Sequence, residues 1–508
     1  MQKNKYLTFI LIAPFILLSC TDADIDNGIN NKRIENNKIV LTPEENVSIA
    51  YDNPKELAEE EIRNVVFNFQ NNINSGKGFT TRNSEVSKIS IKKKFYITEN
   101  NNIIENVTNT RSTTSNELTV PIFEVELSSY NGEKSLAVVC GDERMPEVLF
   151  YSENYCPDFE IDNGTRYLLE LSKKNILSDI RQIEHIKSTK RDSTLNKIAR
   201  QWNMPKEKVC YAAIKDQIVT ADKISTRNNN PGNPIGGVDR PDLYVVGYVN
   251  PMSKVVWSQN APYKSAMPKM MIFDGNAGEF EGNIPVGCAN VAIGMIFSII
   301  KPNMFLDNNQ KVDWDYATSF SYINNYSPQD LIDMISGLLA QIAAGTMSVP
   351  YREEKELIDI DTESKYTKSV ITQTTTTTVD AVNYLRTMAN FSGDGNYKFN
   401  GNQAKQSLFE RKPVLLFGQG YEVDDDGNII KKAGGHAWLI DGVVITRHPL
   451  NIGYYHFWSV NIGWGRGSKA YFRTSNDLQY CDVIFSTSSG NRAYYTQEMT
   501  MLYNITKK

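Results

Sequence analysis

The segment Pro285–Phe297, PVGCANVAIGMIF, predicts a tight main-chain turn followed by an apolar helix that begins at Cys288. We predict that Val291, Met295 and Ile296 pack into a core, because they recur on one face of this helix. The cysteine has two interpretations. It is either a small apolar residue buried in a helix or a nucleophile whose thiolate is favoured by the positive end of the helix. The segment alone does not decide between them.

A nucleophilic cysteine needs an imidazole, and the chain has four histidines. His185 lies in a charged stretch typical of a surface, His448 precedes a proline in a turn, and His456 lies in an aromatic strand where packing is the simpler interpretation. His436 follows two glycines and begins the apolar strand HAWLIDGV, which would hold its ring rigidly. It lies about 150 residues after Cys288, a spacing that papain-type enzymes use. We therefore take Cys288 and His436 as candidate nucleophile and base.

Two side-chain amides are candidates for the remaining roles in such chemistry. Asn461, in SVNIGWG, lies on a strand expected to pair with the His436 strand, and its carbonyl oxygen would accept a hydrogen bond from the imidazole. Gln259, in VVWSQNAPY, would point its amide N–H groups at a developing oxyanion.

Length and composition limit the classes of protein. The 508 residues predict two or three domains, and 41% hydrophobic with 22% charged residues is typical of a soluble globular protein. The formal net charge of -5 offers no broad attraction for nucleic acid, so we exclude nucleic acid as a partner.

Residues 1–20 have two lysines, an apolar run and a small residue before Cys20, the pattern of a secretory signal. The ending LLSC resembles the bacterial lipobox, which implies acylation of Cys20 and an exported protein anchored in the outer membrane or at the cell surface. The alternative is an ordinary signal peptide with a coincidental cysteine. Residues 21–52 are predicted to form a polar tether.

Residues 53–224 are predicted to form a smaller α+β domain. Asn53 as N-cap and Pro54 at the first helical position indicate a helix, and VPIFEVEL and SLAVVC flank a hairpin turn at Asn131–Gly132. Residues 225–242, STRNNNPGNPIGGVDRPD, have almost nothing to bury and are predicted to be an exposed linker open to proteolysis.

Residues 243–508 are predicted to be an α+β domain with helices first and an antiparallel sheet or barrel second. Helices are expected at Cys288–Ile300, at Leu331–Ala344 and after the Thr374–Thr378 run. The strands are expected in PVLLFG, HAWLIDGVV, YYHFWSVNIGW, KAYFRT and MTMLYNIT.

Besides Cys20, the chain has an odd number of cysteines: Cys140, Cys156, Cys210, Cys288 and Cys481. An odd number leaves at least one thiol unpaired in an exported protein, and the pairing of the others is left open. Their spacing predicts no structural zinc, and YEVDDDGNIIKK lacks the pattern of a calcium loop. We expect no metal and no cofactor.

The motifs WSQNAPY, VGCANVAIGMI, GGHAWLIDG and VNIGWGRG, in this order, resemble the streptopain family of papain-clan cysteine peptidases. Upstream, LAVVCGDERMPEVLFYSE is similar to the core of the inhibitory propeptide of that family. The resemblance implies a papain-like catalytic domain preceded by a propeptide. It also implies roles for Cys288 as nucleophile, His436 as base, Gln259 as oxyanion donor, Asn461 as the residue that orients His436, and Trp464 as cover for the His–Asn hydrogen bond.

The sequence departs from the family pattern in three places. Ile462 stands where the family usually has a tryptophan after the asparagine, and the segment 352–378 and the loop 421–432 look long. Loops at a cleft usually set specificity, so subsite preferences do not carry over from the family.

The sequence therefore predicts a cysteine endopeptidase made as a zymogen, with proteins or peptides as substrates and its own propeptide as an intramolecular inhibitor. Two alternatives stay open. One is a non-catalytic surface lipoprotein that binds proteins on the same scaffold. The other is a papain-clan amidase or acyltransferase, which would share the Cys–His chemistry.

Overall fold

The structure is a computed structural model of the chain. It describes residues 38–76, 86–99, 103–105, 118–130, 132–153, 163–220, 244–274, 278–358, 365–423, 429–432, 434–448, 450, 452–465, 468–474, 485–486, 492–494 and 498–508. The predicted signal peptide with Cys20, the predicted linker at 225–242, the DDDG loop, Cys156 and Cys481 lie outside these residues.

The chain divides into two compact units, residues 1–52 with 186–230 and residues 53–185 with 231–508. The domain boundaries at 225 and 243 stay predictions, because residues 221–243 lie outside the described part. The boundary at 53 also stays a prediction, but residues 39–50 of the predicted polar tether form a strand and a helix with buried side chains, so the tether prediction is wrong for them. No helix within the described part is both long and apolar enough to cross a membrane.

The first unit contains a short parallel strand pair and helices. Strand β1 (Ile39–Leu41) pairs with β7 (Ile218–Thr220). Helix α1 (Pro43–Ala50) begins with a capping box, in which Thr42 and Glu45 each accept a hydrogen bond from the backbone N–H of the other. Helix α4 (Tyr211–Ile214) also belongs to this unit. Its core consists of Ile39, Leu41, Ile49, Leu195, Ile198 and Ile214.

The second unit holds the elements that carry the candidate site. Its helices are α2 (Glu59–Gly76), α3 (Asn163–Trp202, which continues into the first unit), α5 (Cys288–Ile300), α6 (Trp314–Ala317), α7 (Gln329–Gly345), α8 (Thr378–Met388) and α9 (Gly401–Phe409). Its strands before α5 are β2 (Val86–Thr98), β3 (Ile103–Ile104), β4 (Thr119–Ser129), β5 (Lys134–Cys140), β6 (Val148–Ser152), β8 (Tyr244–Val249), β9 (Lys269–Asp274) and β10 (Gly278–Asn283). Those after α5 are β11 (Val349–Ile358), β12 (Lys365–Thr375), β13 (Ala389–Ser392), β14 (Val414–Gly418), β15 (Tyr421–Val423), β16 (Ile429–Lys432), β17 (His436–Arg447), β18 (Tyr454–Asn461), β19 (Lys469–Thr474), β20 (Phe485–Ser486), β21 (Arg492–Tyr494) and β22 (Met499–Lys507).

Twelve of the described strands form one antiparallel sheet. Its order is β13, β22, β14, β17, β18, β19, β6, β5, β4, β2 and β3, and β8 pairs with β17 as well. Strands β2 to β6 come from the region predicted to be the propeptide, and they join the strands of the predicted catalytic domain where β19 pairs with β6. The two regions therefore share one continuous sheet.

The helix α5 is packed on this sheet and against α7. Val291, Met295 and Ile296 are fully buried, as predicted. The helix is close to its neighbours at Gly294, where an added Cβ would lie 2.8 Å from a side-chain carbon of Leu339. The helix contacts β17, β14 and β22, so the core places the start of α5 beside the start of β17.

Most predicted elements are confirmed, and the fold class is the predicted α+β with a large antiparallel sheet. Helix α5 has the predicted bounds, and the hairpin turn at Gly132 has a φ of 84° that suits glycine. The predicted start of the first helix at Pro54 is wrong. Leu57 N–H donates to the Gly141 carbonyl at 2.8 Å, so this stretch pairs with a turn and α2 begins only at Glu59.

Candidate active site

Cys288 is the first residue of α5, and the local backbone explains why. Gly287 caps the helix with a φ of 92°, a conformation that favours glycine. An added Cβ at Gly287 would also lie 3.0 Å from the main-chain oxygen of Thr374. Glycine therefore permits both the turn and the close approach, and the cysteine falls in the first helical turn, where backbone N–H groups are unpaired.

The surroundings of Cys288 favour its uncharged thiol. Burial raises its pKa above the usual value, and the backbone N–H groups of Ala437, Ala289 and Cys288 itself act in the opposite direction. Because the thiol interacts with the N–H of Ala437, the residue after His436, the start of α5 and the start of β17 meet at this cysteine.

His436 is the first residue of β17, where it pairs with Gly418 of β14. Gly435 precedes it, and an added Cβ there would lie 2.8 Å from the main-chain oxygen of Gly418, so the close approach requires glycine. The imidazole Nε2 donates to the main-chain carbonyl of Ile462 at 3.1 Å. A neutral ring that donates from Nε2 keeps a lone pair on Nδ1, which is the atom able to act as a base.

The environment of His436 keeps the ring neutral. Burial lowers the pKa of His436 to about 4, although the hydrogen bond to Ile462 acts against this shift. Two indole rings lie beside it: the centroid of Trp464 is 4.9 Å from that of the imidazole, and the Trp438 ring is stacked on it at 5.9 Å. Trp464 therefore lies beside His436, and its role as cover for a His–Asn hydrogen bond stays a prediction.

Asn461 is fully buried at the end of β18, next to the strand that carries His436. Its Nδ2 donates to the Val255 carbonyl at 3.0 Å, and its Oδ1 accepts from the Gly463 N–H at 3.2 Å. The imidazole Nε2 of His436 donates to the main-chain carbonyl of the residue after Asn461, Ile462. The orienting role of Asn461 thus stays a prediction, and in this structure its side chain holds the main chain around Ile462 in place.

Gln259 is half-buried, and its main-chain carbonyl accepts from the Val286 N–H at 3.0 Å. This bond ties Gln259 to the turn immediately before Cys288. Gln259 is not among the described residues that line the cavity at Cys288. Its role as an oxyanion donor stays a prediction.

A cavity of about 520 Å³ contains the candidate nucleophile and base. It is lined by Cys288, His436, Phe417, Glu498, Tyr351 and the run Gln373–Thr378. Strands β11 and β12 form a hairpin whose base reaches the cavity, since Tyr351 and Gln373 are paired in register and both line it. The segment that looked long in the sequence therefore supplies part of the cleft wall.

Two buried polar networks that the sequence did not reveal support the site. On β17, Asp441 accepts hydrogen bonds from Ser253 N–H (2.8 Å), Lys469 Nζ (2.9 Å) and Ser459 Oγ (2.7 Å). Because Lys469 Nζ also donates to the Ser253 carbonyl, this network fixes the segment that leads to Gln259.

The second network lies one turn from the start of α5. Asn290 Nδ2 donates to the Val286 carbonyl at 2.7 Å and to Ser348 Oγ at 2.9 Å, and its Oδ1 accepts from Thr346 at 2.8 Å. The Thr376 hydroxyl donates to the Thr346 carbonyl at 2.7 Å. The turn before Cys288 is thereby linked to the threonine run that lines the cavity.

Within the described ranges, no group of three or more His, Cys, Asp or Glu residues is arranged as metal ligands. At the cavity the structure brings together the Cys288 thiol and the His436 imidazole, which are functional groups of acyl transfer through a thioester.

Residues 257–472 match the model of the peptidase C10 family. This match confirms the streptopain-like resemblance of the motifs and the prediction of a cysteine-type peptidase. No curated protein matches the chain.

Two solved structures from Prevotella intermedia are similar to the chain. A prointerpain A fragment is 15% identical, with 76% of this chain and 96% of that chain covered and a TM-score of 0.36. Active interpain A cysteine protease is 16% identical, with 52% of this chain and 96% of that chain covered and a TM-score of 0.31. The assignment of the peptidase segment rests on the family match.

Proposed function

We propose that the chain is an exported, lipid-anchored cysteine endopeptidase made as a zymogen, in which Cys288 and His436 carry out the hydrolysis. One observation carries the proposal: the first residue of α5 and the first residue of β17 meet in one cavity, with the Cys288 thiol at the N–H of Ala437. A thiol at a helix start beside an imidazole is the arrangement that forms a nucleophilic thiolate.

The reaction follows from these groups. His436 takes the thiol proton on Nδ1 as the Cys288 sulfur attacks the carbonyl carbon of the scissile peptide bond. The N–H of Cys288 and the amide of Gln259 donate to the oxyanion. As the C–N bond breaks, His436 gives its proton to the leaving amine and a thioester remains. A water molecule then attacks the thioester, His436 takes a proton from it, and the carboxylic acid leaves as the thiol is restored.

The shared sheet supports the zymogen part of the proposal. Strand β6 continues the sheet of the peptidase segment through the pairs Tyr151–Tyr471 and Phe150–Phe472. Arg473 of β19 is fully buried and forms ion pairs with Glu147 and Asp179, which lie in the predicted propeptide. In this proposal the propeptide region 53–224 stays attached until the linker at 225–242 is cut, and its removal leaves the site able to bind substrate.

The test of hydrolysis compares the wild-type chain, expressed without its signal peptide, with Cys288→Ala and with Cys210→Ala as a matched control. We expect the wild type and Cys210→Ala to process themselves and to cleave a denatured protein. Cys288→Ala should stay uncut and lose more than about a thousandfold in cleavage rate, because the nucleophile is absent. Maturation and cleavage by Cys288→Ala at the wild-type rate would show that the catalytic assignment is wrong.

The lipid anchor rests on the LLSC motif that ends at Cys20. Acylation at this cysteine would hold the protein at a membrane, as the localisation proposal requires. We expect Cys20→Ser to move the protein from the membrane fraction to the soluble fraction. An unchanged distribution would remove the anchor from the proposal and leave the hydrolysis untouched.

A further inference from the structure

Glu498 carries the only formal charge among the described residues that line the cavity around Cys288 and His436. The other described lining residues are glycines, threonines, amides, small apolar residues, Phe417 and Tyr351, apart from the two candidate catalytic residues. Because the other lining groups are neutral, this single carboxylate makes the electrostatic potential negative at its side of the cavity. It therefore favours a substrate side chain of positive charge.

The sheet register places Glu498 at a defined distance from the base. Met499, the next residue, pairs with Gly418, and Gly418 pairs with His436. Two strand spacings separate Met499 from His436, which is about 10 Å. An extended peptide advances about 3.3 Å per residue. A long side chain within two residues of the scissile bond can therefore reach the carboxylate.

The surroundings of Glu498 leave it available to a substrate. It is exposed, and the neutral hydroxyl of Tyr421 donates a hydrogen bond to it. This hydrogen bond orients the carboxylate without neutralising its charge. The buried ring of Phe417 lines the same cavity and offers apolar surface for the methylene groups of a long side chain.

We propose that Glu498 is a specificity-determining residue that binds a Lys or Arg side chain of the polypeptide substrate within two residues of the scissile bond. The proposal rests on the proposed function. It assigns the substrate class as polypeptides with a basic residue next to the cleavage site. Arginine is the better partner, because its planar guanidinium binds a carboxylate through two parallel hydrogen bonds.

The test uses processed enzyme and a set of otherwise identical peptides. The peptides vary at one position at a time, and each varied position lies within two residues of the scissile bond on either side. The residue at that position is Arg, Lys, Gln, Leu or Glu. The ratio of kcat/KM for Arg over Gln is measured for the wild type, Glu498→Gln, Glu498→Lys and Glu281→Gln. Glu281 is an exposed residue of β10 that does not line the cavity, so its variant is the matched control.

We expect the wild type and Glu281→Gln to favour Arg and Lys over Gln about five- to tenfold at one position, a size typical of a partly exposed ion pair. Added salt should reduce this ratio. Glu498→Gln should bring it close to one, and Glu498→Lys should favour Glu in the peptide.

Two results would overturn the proposal: a wild type without a basic preference at any of these positions, or a preference that Glu498→Gln leaves intact. Either result can be obtained only with an enzyme that cleaves peptides. Neither result therefore contradicts the proposed function. A processed chain that cleaves none of the peptides, and no denatured protein either, overturns the proposed function and this proposal together.

Discussion

At the residue scale, Cys288 and His436 are both uncharged near neutral pH in the unprocessed chain. Burial is the main cause in each case, but the directions differ: it raises the pKa of the thiol and lowers the pKa of the imidazole to about 4. A buried pair pays a large desolvation cost to become a thiolate and an imidazolium. The unprocessed chain therefore holds the candidate nucleophile and the candidate base at one cavity, where burial favours the protonation states that do not react.

The residues of the site differ in how far the sequence could reveal them. Cys288 and His436 could be predicted because a helix start, a glycine pair and their separation along the chain are all visible in the sequence. The Ile462 carbonyl could not, because every residue has one and only the fold shows which carbonyl faces the imidazole. Glu498 and Asp441 were missed for a related reason, since strand pairing alone brings them near the site.

At the element scale, short-range signals set most of the boundaries. Helix α5 has its predicted bounds because Gly287 starts it and Lys301, with a φ of 47°, ends it before Pro302. Helix α2 shows where such signals fail. Asn53 and Pro54 form a convincing helix start, but the main chain after them pairs with the turn at Gly141, and the Glu61 carboxylate accepts from the Ala58 N–H at 2.7 Å instead.

The junction between β19 and β6 contains a buried arginine with two carboxylate partners. Arg473 is fully buried, its Nη2 donates to Asp179 at 2.5 Å, and its Nε donates to Glu147, which is itself buried. The guanidinium also lies over the Tyr455 ring, 4.3 Å from its centroid. Removing one partner of such a group leaves an uncompensated charge in the interior.

We expect Arg473→Met to destabilise the unprocessed chain by about 3–5 kcal/mol, because Glu147 would stay buried without its cation. The measurement is urea unfolding in a Cys288→Ala background, which prevents self-cleavage. Arg386→Met, the same change at an exposed arginine, should shift stability by less than about 0.5 kcal/mol. Adding Glu147→Gln to Arg473→Met should restore part of the loss. Equal effects of the two arginine variants would contradict the proposed contribution of the buried ion pairs.

At the scale of the whole molecule, the α+β class and the order of helices and strands could be predicted from periodicity and turn residues. The continuous sheet could not. Strand β6 and strand β19 are separated by most of the peptidase segment, and no local pattern indicates that they pair. The motifs for a propeptide and a peptidase predict two regions, whereas the way in which they join depends on contacts between residues far apart in the chain.

The shared sheet also bears on how the peptidase is activated. The region 53–185 and the peptidase segment are joined by strand pairing and by the ion pairs of Arg473. In this joined structure, burial favours the uncharged forms of Cys288 and His436. Release of this region is proposed to let Cys288 and His436 form the thiolate and imidazolium. The reactivity of the Cys288 thiol before and after the linker is cut therefore tests both the proposed active site and its proposed regulation by the propeptide.

The most direct measurement is the rate at which iodoacetamide alkylates Cys288. Peptide mass mapping monitors this rate from pH 5 to pH 10, first with the linker intact and then after an added peptidase has cut it. We expect slow labelling of the intact chain at pH 7 that increases as the pH rises, because burial raises the pKa of the thiol. The cut chain should be labelled rapidly from acid to neutral pH, and His436→Ala should abolish this gain. Labelling at equal rates in the intact and cut chains, or a cut His436→Ala chain as reactive as the wild type, would contradict the account.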